Sequence, residues 1–302
     1  TFALPLPLEG SKTVSDLQSD RQLKNLLTFD IEDWYHANFA GVDLSTYRGN
    51  DSHFRANMEL LLQLCSEAGC TATFFVLGQI GEQYPEVVRD IVRAGHEVAS
   101  HGYGHQLAYQ QTYEEFREDV KKSADILQTL TGEKVWGYRA PSWSIVKSNH
   151  HYLQALEEIE LHYDASIFPV KTFLYGIPDA PTEIHRPVVN GRKLELLEVP
   201  MSVLKIGGRN FGYSGGFYFR LFPSWLIKRI IRSGNQAGRH SIVYLHPREL
   251  DAAERRLKLP RLESFIQYHN VEGTQNKLAA ILRSFQFTSI KEKLIAKQNS
   301  HE

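Results

Sequence analysis

Three carboxylates stand within four residues in Thr28-Phe29-Asp30-Ile31-Glu32-Asp33-Trp34. Carboxylates packed that closely repel, and they cannot all stay ionised cheaply without a cation or a shared proton. A metal ligand beside a general base resolves that conflict; taken alone, the stretch reads equally as a solvated acidic turn. The second cluster is Ser100-His101-Gly102-Tyr103-Gly104-His105. Two histidines with three residues between them can reach one metal ion from a helical turn or a tight loop, although such pairs also arise by chance. Two histidines and a carboxylate form a facial ligand set that leaves positions open for water and substrate. Zinc suits that set in a redox-neutral hydrolase, and iron uses the same ligands.

Two further stretches carry single candidates. In Tyr138-Arg139-Ala140-Pro141-Ser142-Trp143-Ser144, Arg139 can pair with a carboxylate and hold it ionised. A structural ion pair beside a proline turn is the plainer alternative. In Ile242-Val243-Tyr244-Leu245-His246-Pro247, a histidine follows an apolar strand. Alone it reads as structural; at the catalytic end of a barrel it becomes a candidate acid.

These clusters need elements that bring them together. Apolar periodicity predicts strands at 25–30, 71–77, 96–100 and 135–138 and around 162–164, 195–199 and 241–245. Between them it predicts helices at 51–68 (Phe54, Met58, Leu61, Leu62 and Cys65, stopped by Gly69), 84–94, 112–130 and 149–159. That alternation predicts an α/β fold with a mostly parallel sheet, closed into a barrel or an incomplete one. Each chemical cluster then falls at the carboxyl end of a strand, where barrels carry their active residues. Residues 173–200 read as loop. Residues 207–219, rich in glycine and aromatics, read as a surface loop that either touches a sugar or packs its rings on the barrel rim.

The 302 residues suffice for one large α/β domain, and the net charge of -1 gives no sign of nucleic-acid binding. No apolar run is long enough to span a membrane. The start, Thr1 to Leu8, is apolar but broken by prolines and lacks the basic region of a signal peptide, so cytoplasmic placement is the expectation. Residues 1–22 read as a flexible arm before a single domain at 23–302. Cys65 and Cys70 are the only cysteines, and they read as small core residues rather than a disulfide or a thiolate metal site. Oligomeric state leaves no trace in the sequence.

In this order, the four pieces resemble the NodB-homology polysaccharide deacetylases, carbohydrate esterase family four. The family's motifs are matched by Thr28-Phe29-Asp30, Ser100-His101 to His105, Arg139-Ala140-Pro141-Ser142-Trp143 and Leu245-His246. A bacterial branch encoded near exosortase and exopolysaccharide genes is similar in more places: Tyr163-Asp164-Ala165-Ser166-Ile167-Phe168-Pro169, Gly215-Gly216-Phe217-Tyr218-Phe219-Arg220, Leu245 to Asp251, and the tail from Tyr268. The resemblance implies a distorted (β/α)7 barrel with a C-terminal helical extension. It implies a divalent metal, zinc foremost, with cobalt, nickel or iron possible, and an N-acetylated glycan as substrate. It makes Asp30 the general base, Arg139 its partner, His101 and His105 metal ligands and His246 the general acid.

One departure matters. The family places its metal aspartate directly after the base, where this chain has Ile31. The ligand is then Glu32 or Asp33. Strand alternation puts Asp30 and Glu32 on one face, whereas a turn beginning at Asp30 brings Asp33 round. Asp33 is the expected ligand, with Glu32 behind it as a supporting partner. Trp143 and Tyr244 could wall the acetyl pocket, with Tyr103 as a third substrate contact. A backbone N–H near Tyr103 or Tyr138 is a candidate oxyanion donor. Asp164 either orients His246 or caps a turn, the second being favoured.

Overall fold

The computed structural model describes residues 23–36, 53–172, 175–253 and 256–299. The arm expected at 1–22 and the first residues of the helix expected from 51 lie outside them. The centre is one parallel sheet. Its strands run in the order β11 (Ile242–Leu245), β1 (Asn25–Ile31), β2 (Thr73–Val76), β3 (Glu97–Ser100), β4 (Gly137–Tyr138), β5 (Tyr163–Asp164) and β8 (Leu197–Glu198), and β12 (Phe287–Thr288) also pairs with β1. Every residue of β1 is buried, as expected of a strand covered on both faces. Helices α1 (Phe54–Ala68), α2 (Gly78–Gln83), α3 (Pro85–Arg93), α4 (Tyr113–Thr131) and α5 (Leu153–Glu158) fill the connections. The sheet is an incomplete barrel of the (β/α)7 kind, open between β8 and β11.

Local chemistry fixes the ends of these helices. Thr112 and Glu115 form a capping box at the start of α4, and Gly132 closes it in the left-handed conformation. Register then sets the site. Tyr244 lies opposite Thr28 and Leu245 opposite Phe29, Val76 opposite Ser100, and Ser100 opposite Tyr138. One step beyond these pairs stand Asp30, His246, His101 and Arg139, all at the same end of the sheet.

Residues 207–219 are not a loop. They form the turn of a hairpin between β9 (Val203–Ile206) and β10 (Arg209–Gly212), then the start of α6 (Gly216–Leu221). Residues 173–200 include another small hairpin, β6 (Val188–Val189) with β7 (Arg192–Lys193), before β8. Helices α7 (Ser224–Gln236), α8 (Arg261–Tyr268), α9 (Thr274–Leu282) and α10 (Ile290–Asn299) complete the described chain. Lys277 Nζ of α9 donates to the carbonyls of Phe219, Arg220 and Phe222, which satisfies the end of α6. Among the described residues no helix is long and apolar enough to cross a membrane.

Candidate metal centre

One acid of the first cluster meets the histidines. Asp30 and Glu32 share a face, and ligand atoms of Glu32, His101 and His105 lie within 4.8 Å of one another, all three residues buried. Asp33, the expected ligand, is not in this group; its Oδ1 accepts the N–H of Trp34 at 2.8 Å. In the structure it is Glu32, not Asp33, that stands with the two histidines. The chain turns at the end of β1, where the Asp30 carbonyl accepts the N–H of Glu32 at 3.2 Å.

The three side chains fit a divalent cation. Glu32 Oε2 stands 2.5 Å from His105 Nε2, a buried pair in which both atoms are of the kind that bind a divalent metal. His101 Nδ1 lies 2.8 Å from the carbonyl of Arg139, so it carries the proton and leaves the Nε2 lone pair for a ligand bond. Burial pushes the pKa of His101 down to about 4, against the opposing pull of Asp30, which keeps the ring neutral as coordination requires. His105 is held at φ 60°, the left-handed region, with its ring 5.5 Å from that of His101.

Beside this triplet, Arg139 Nη1 donates to Asp30 Oδ1 at 2.7 Å and to Thr28 Oγ1 at 3.0 Å, and its Nε donates to the carbonyl of Ala165. Its guanidinium lies 4.1 Å from the centre of the Phe75 ring. Asp30 Oδ2 stands 4.0 Å from His246 Nε2, and Glu32 Oε1 stands 3.7 Å from the same nitrogen. Burial disfavours a charged His246, but Glu32 and Glu249 outweigh it and raise its pKa above the ordinary value. Asp30, His246, Arg139, His101 and His105 thus come together as the motifs suggested.

The remaining candidates divide, and Asp164 follows the reading favoured for it. Asp164 does not orient His246. Its carboxylate accepts from the hydroxyl and N–H of Ser166, and that hydroxyl accepts the N–H of Ala140. It caps a turn that fixes the backbone beside Arg139. Buried Glu198 shares a hydrogen bond with it; burial and then the Asp164 charge push the Glu198 pKa far up, so Glu198 carries the proton. Tyr103 packs on Gly78, lies under Lys122 Nζ and donates its hydroxyl to Glu82. These contacts face α2 and α4, in place of the substrate contact expected, and its N–H is taken by Asp119 Oδ2, not left for an oxyanion. Trp143 and Tyr244 meet edge to face at 5.2 Å beside Arg139. Trp143 is buried and Tyr244 half-buried.

The motif reading did not single out Glu249, Arg220, Arg248 or His36. Glu249 Oε2 lies 3.0 Å from His246 Nδ1, and Arg220 Nε donates to Glu249 Oε1 at 2.8 Å. Arg248 Nη2 reaches Glu32 Oε1 at 3.5 Å. His36 Nδ1 accepts the N–H of Asp33, and its ring is 6.4 Å from His105. A histidine followed three residues later by glutamate, in a turn opened by proline, was the available signal for Glu249. Nothing in spacing marked Arg220. Next to His246 runs a groove of about 300 Å³, lined among others by Tyr175, Phe217, Tyr218 and Tyr244.

Comparison with known proteins relates the chain to a family by sequence and by fold. Residues 26–163 match the polysaccharide deacetylase family model. That segment resembles the polysaccharide deacetylases over a little under half of the chain. Residues 165–295 match a second model, a domain of unknown function, DUF3473. The clustered side chains straddle the two matches: Asp30, Glu32, His101, His105 and Arg139 lie in the first segment, and His246, Glu249 and Arg220 in the second. A peptidoglycan deacetylase of Helicobacter pylori is 28% identical over 151 residues, 46% of this chain and 50% of that protein. A peptidoglycan-N-acetylglucosamine deacetylase of Bacillus cereus is 30% identical over 111 residues, 37% of this chain and 39% of that one. The chain thus spans half the length, or less, of these curated relatives. A solved structure from Mycobacterium smegmatis, assigned to the polysaccharide deacetylases, superposes with a TM-score of 0.59 at 17% identity, covering 99% of this chain and 96% of that one, which shows the shared fold.

Proposed function

We propose that the chain is a metal-dependent hydrolase that removes N-acetyl groups from amino-sugars of a bacterial polysaccharide or exopolysaccharide precursor. The convergence of Glu32, His101 and His105 with Asp30 and His246 carries this reading. A divalent cation held by Glu32, His101 and His105, zinc foremost and cobalt, nickel or iron as alternatives, would polarise the acetyl carbonyl and acidify a water.

The remaining work falls to the chain's own groups. Arg139 aims Asp30 by a buried hydrogen bond to Oδ1, and Asp30 takes the proton of the attacking water. His246, charged and oriented through Nδ1 by Glu249, gives the Nε2 proton to the departing amine nitrogen. The C–N bond breaks, and acetate and a free amino-sugar leave.

The groove beside His246 favours a sugar over a small amide. It is open and walled by aromatic rings, which suit the faces of a pyranose; a small amide would call for a closed pocket. The exopolysaccharide assignment draws on the Gly215–Arg220 and Leu245–Asp251 motifs.

Acetate release from N-acetylglucosamine oligomers tests the reading, with protein stripped of metal and reloaded with zinc or cobalt. Release that requires metal supports it. No release from any oligomer by metal-loaded protein, with turnover of a small N-acyl amide instead, would replace the glycan by that substrate.

A further inference from the structure

Helix α1 ends in a Schellman cap. Gly69 sits at φ 61°, its N–H donates to Ser66 O at 3.0 Å, and Cys70 N–H donates back to Cys65 O at 3.1 Å. The positions joined by the longer bond commonly carry a side-chain contact, and here both are cysteine. The cap sets the two residues side by side across that bond. An N···O contact of 3.1 Å keeps the two Cα atoms close to the roughly 4.4–6.8 Å that a disulfide accepts. Both cysteines are free, Cys65 buried and Cys70 partly open. The sequence alone made them core residues; the cap makes them neighbours.

We propose that Cys65 and Cys70 are a redox-active thiol pair that closes into an intrachain disulfide when a small disulfide oxidant reaches Cys70. The two differ as the reaction needs. Cys65 hydrogen-bonding lowers the Cys70 pKa, while the same contact and then burial raise that of Cys65. Cys70, the partly open sulfur of the two, is the one that attacks in its deprotonated form. Its sulfur bonds to one sulfur of the oxidant and expels the other as a thiolate. Cys65 then loses its proton to solvent and attacks Cys70 sulfur, expelling the second thiolate. Two protein thiols are oxidised, and one disulfide reagent is reduced to two thiols. The closed bond ties the end of α1 to the chain entering β2. The other end of α1 is held to the segment after His246, through His53 and Asn57 to Asp251.

Oxidised glutathione is the probe, followed by denaturing alkylation and intact-mass measurement on the whole chain. The wild type should lose two hydrogens and all alkylation, keep the mass of a single chain, and regain both thiols with dithiothreitol. Cys65→Ala should stop at one glutathione on Cys70, and Cys70→Ala should leave Cys65 largely unmodified. Two alkylatable thiols in the oxidised wild type, a lasting glutathione adduct on it, or a disulfide between chains would each overturn the proposal.

Discussion

His246 is gripped from behind by Glu249. The carboxylate oxygen lies 3.0 Å from Nδ1, and Arg220, itself buried, holds the other oxygen at 2.8 Å. Arg220 also donates to the carbonyls of Ile266 and His269. The segment after residue 163 thereby supplies both the candidate acid and the groups that orient it.

Glu249→Gln removes one of the charges that raise the His246 pKa. The protonated form is the donor, so activity falls as pH rises through that pKa. A lower pKa moves the fall to lower pH. We expect kcat to drop about tenfold or more with KM little changed, and the alkaline limb to shift down. An unmoved limb would remove Glu249 from the acid's support.

The same pair should shape acid stability. Burial works against the charged Glu249, but Arg220 and His246 bring its pKa down to about 2, below the ordinary 4.5. Its contribution is complete above the unfolded value and is lost as pH falls from roughly 4.5 to 2. Metal-free wild type should therefore lose more Tm over that window than metal-free Glu249→Gln. Equal losses would show that the pair contributes nothing to acid stability.

Glu32→Gln should weaken zinc binding by about 100-fold or more, since a ligand matters at least as much as its supporting partners. Asp33→Asn should leave it within a few-fold. Metal content after dialysis against a chelator series separates the two, and the opposite ranking would return Asp33 to the ligand set.

Gly215 packs flat against Tyr244: a Cβ there would stand 1.8 Å from Tyr244 Cδ1. Gly215→Ala should cost about 1–3 kcal/mol through overpacking and displace the ring beside Trp143. Thermal denaturation reads the first effect and KM for oligomers the second; wild-type values in both would mean the ring has room to move.

Much of this was legible in the sequence because it depends on period and order. Strand alternation and glycine stops gave the sheet and α1, α3, α4 and α5 but not the short α2, and four motifs at strand ends gave Asp30, His101, His105, Arg139 and His246. The choice between Glu32 and Asp33 turned on where the strand ends, one residue beyond what periodicity resolves. Arg220 and Glu249 meet across 29 residues, a long-range pairing that leaves no local pattern. The stretch 207–219 misled because its glycines serve a hairpin turn and a close approach to Tyr244, and neither is visible without the partner strand.

The most direct measurement compares metal content and acetate release in Asp30→Asn and wild type. Asp30 lies outside the ligand triplet, so the variant should hold metal as the wild type does and release at least about 100-fold less acetate from N-acetylglucosamine oligomers. Acetate release within a few-fold of wild type, with metal retained, would contradict the assignment of Asp30 as the base.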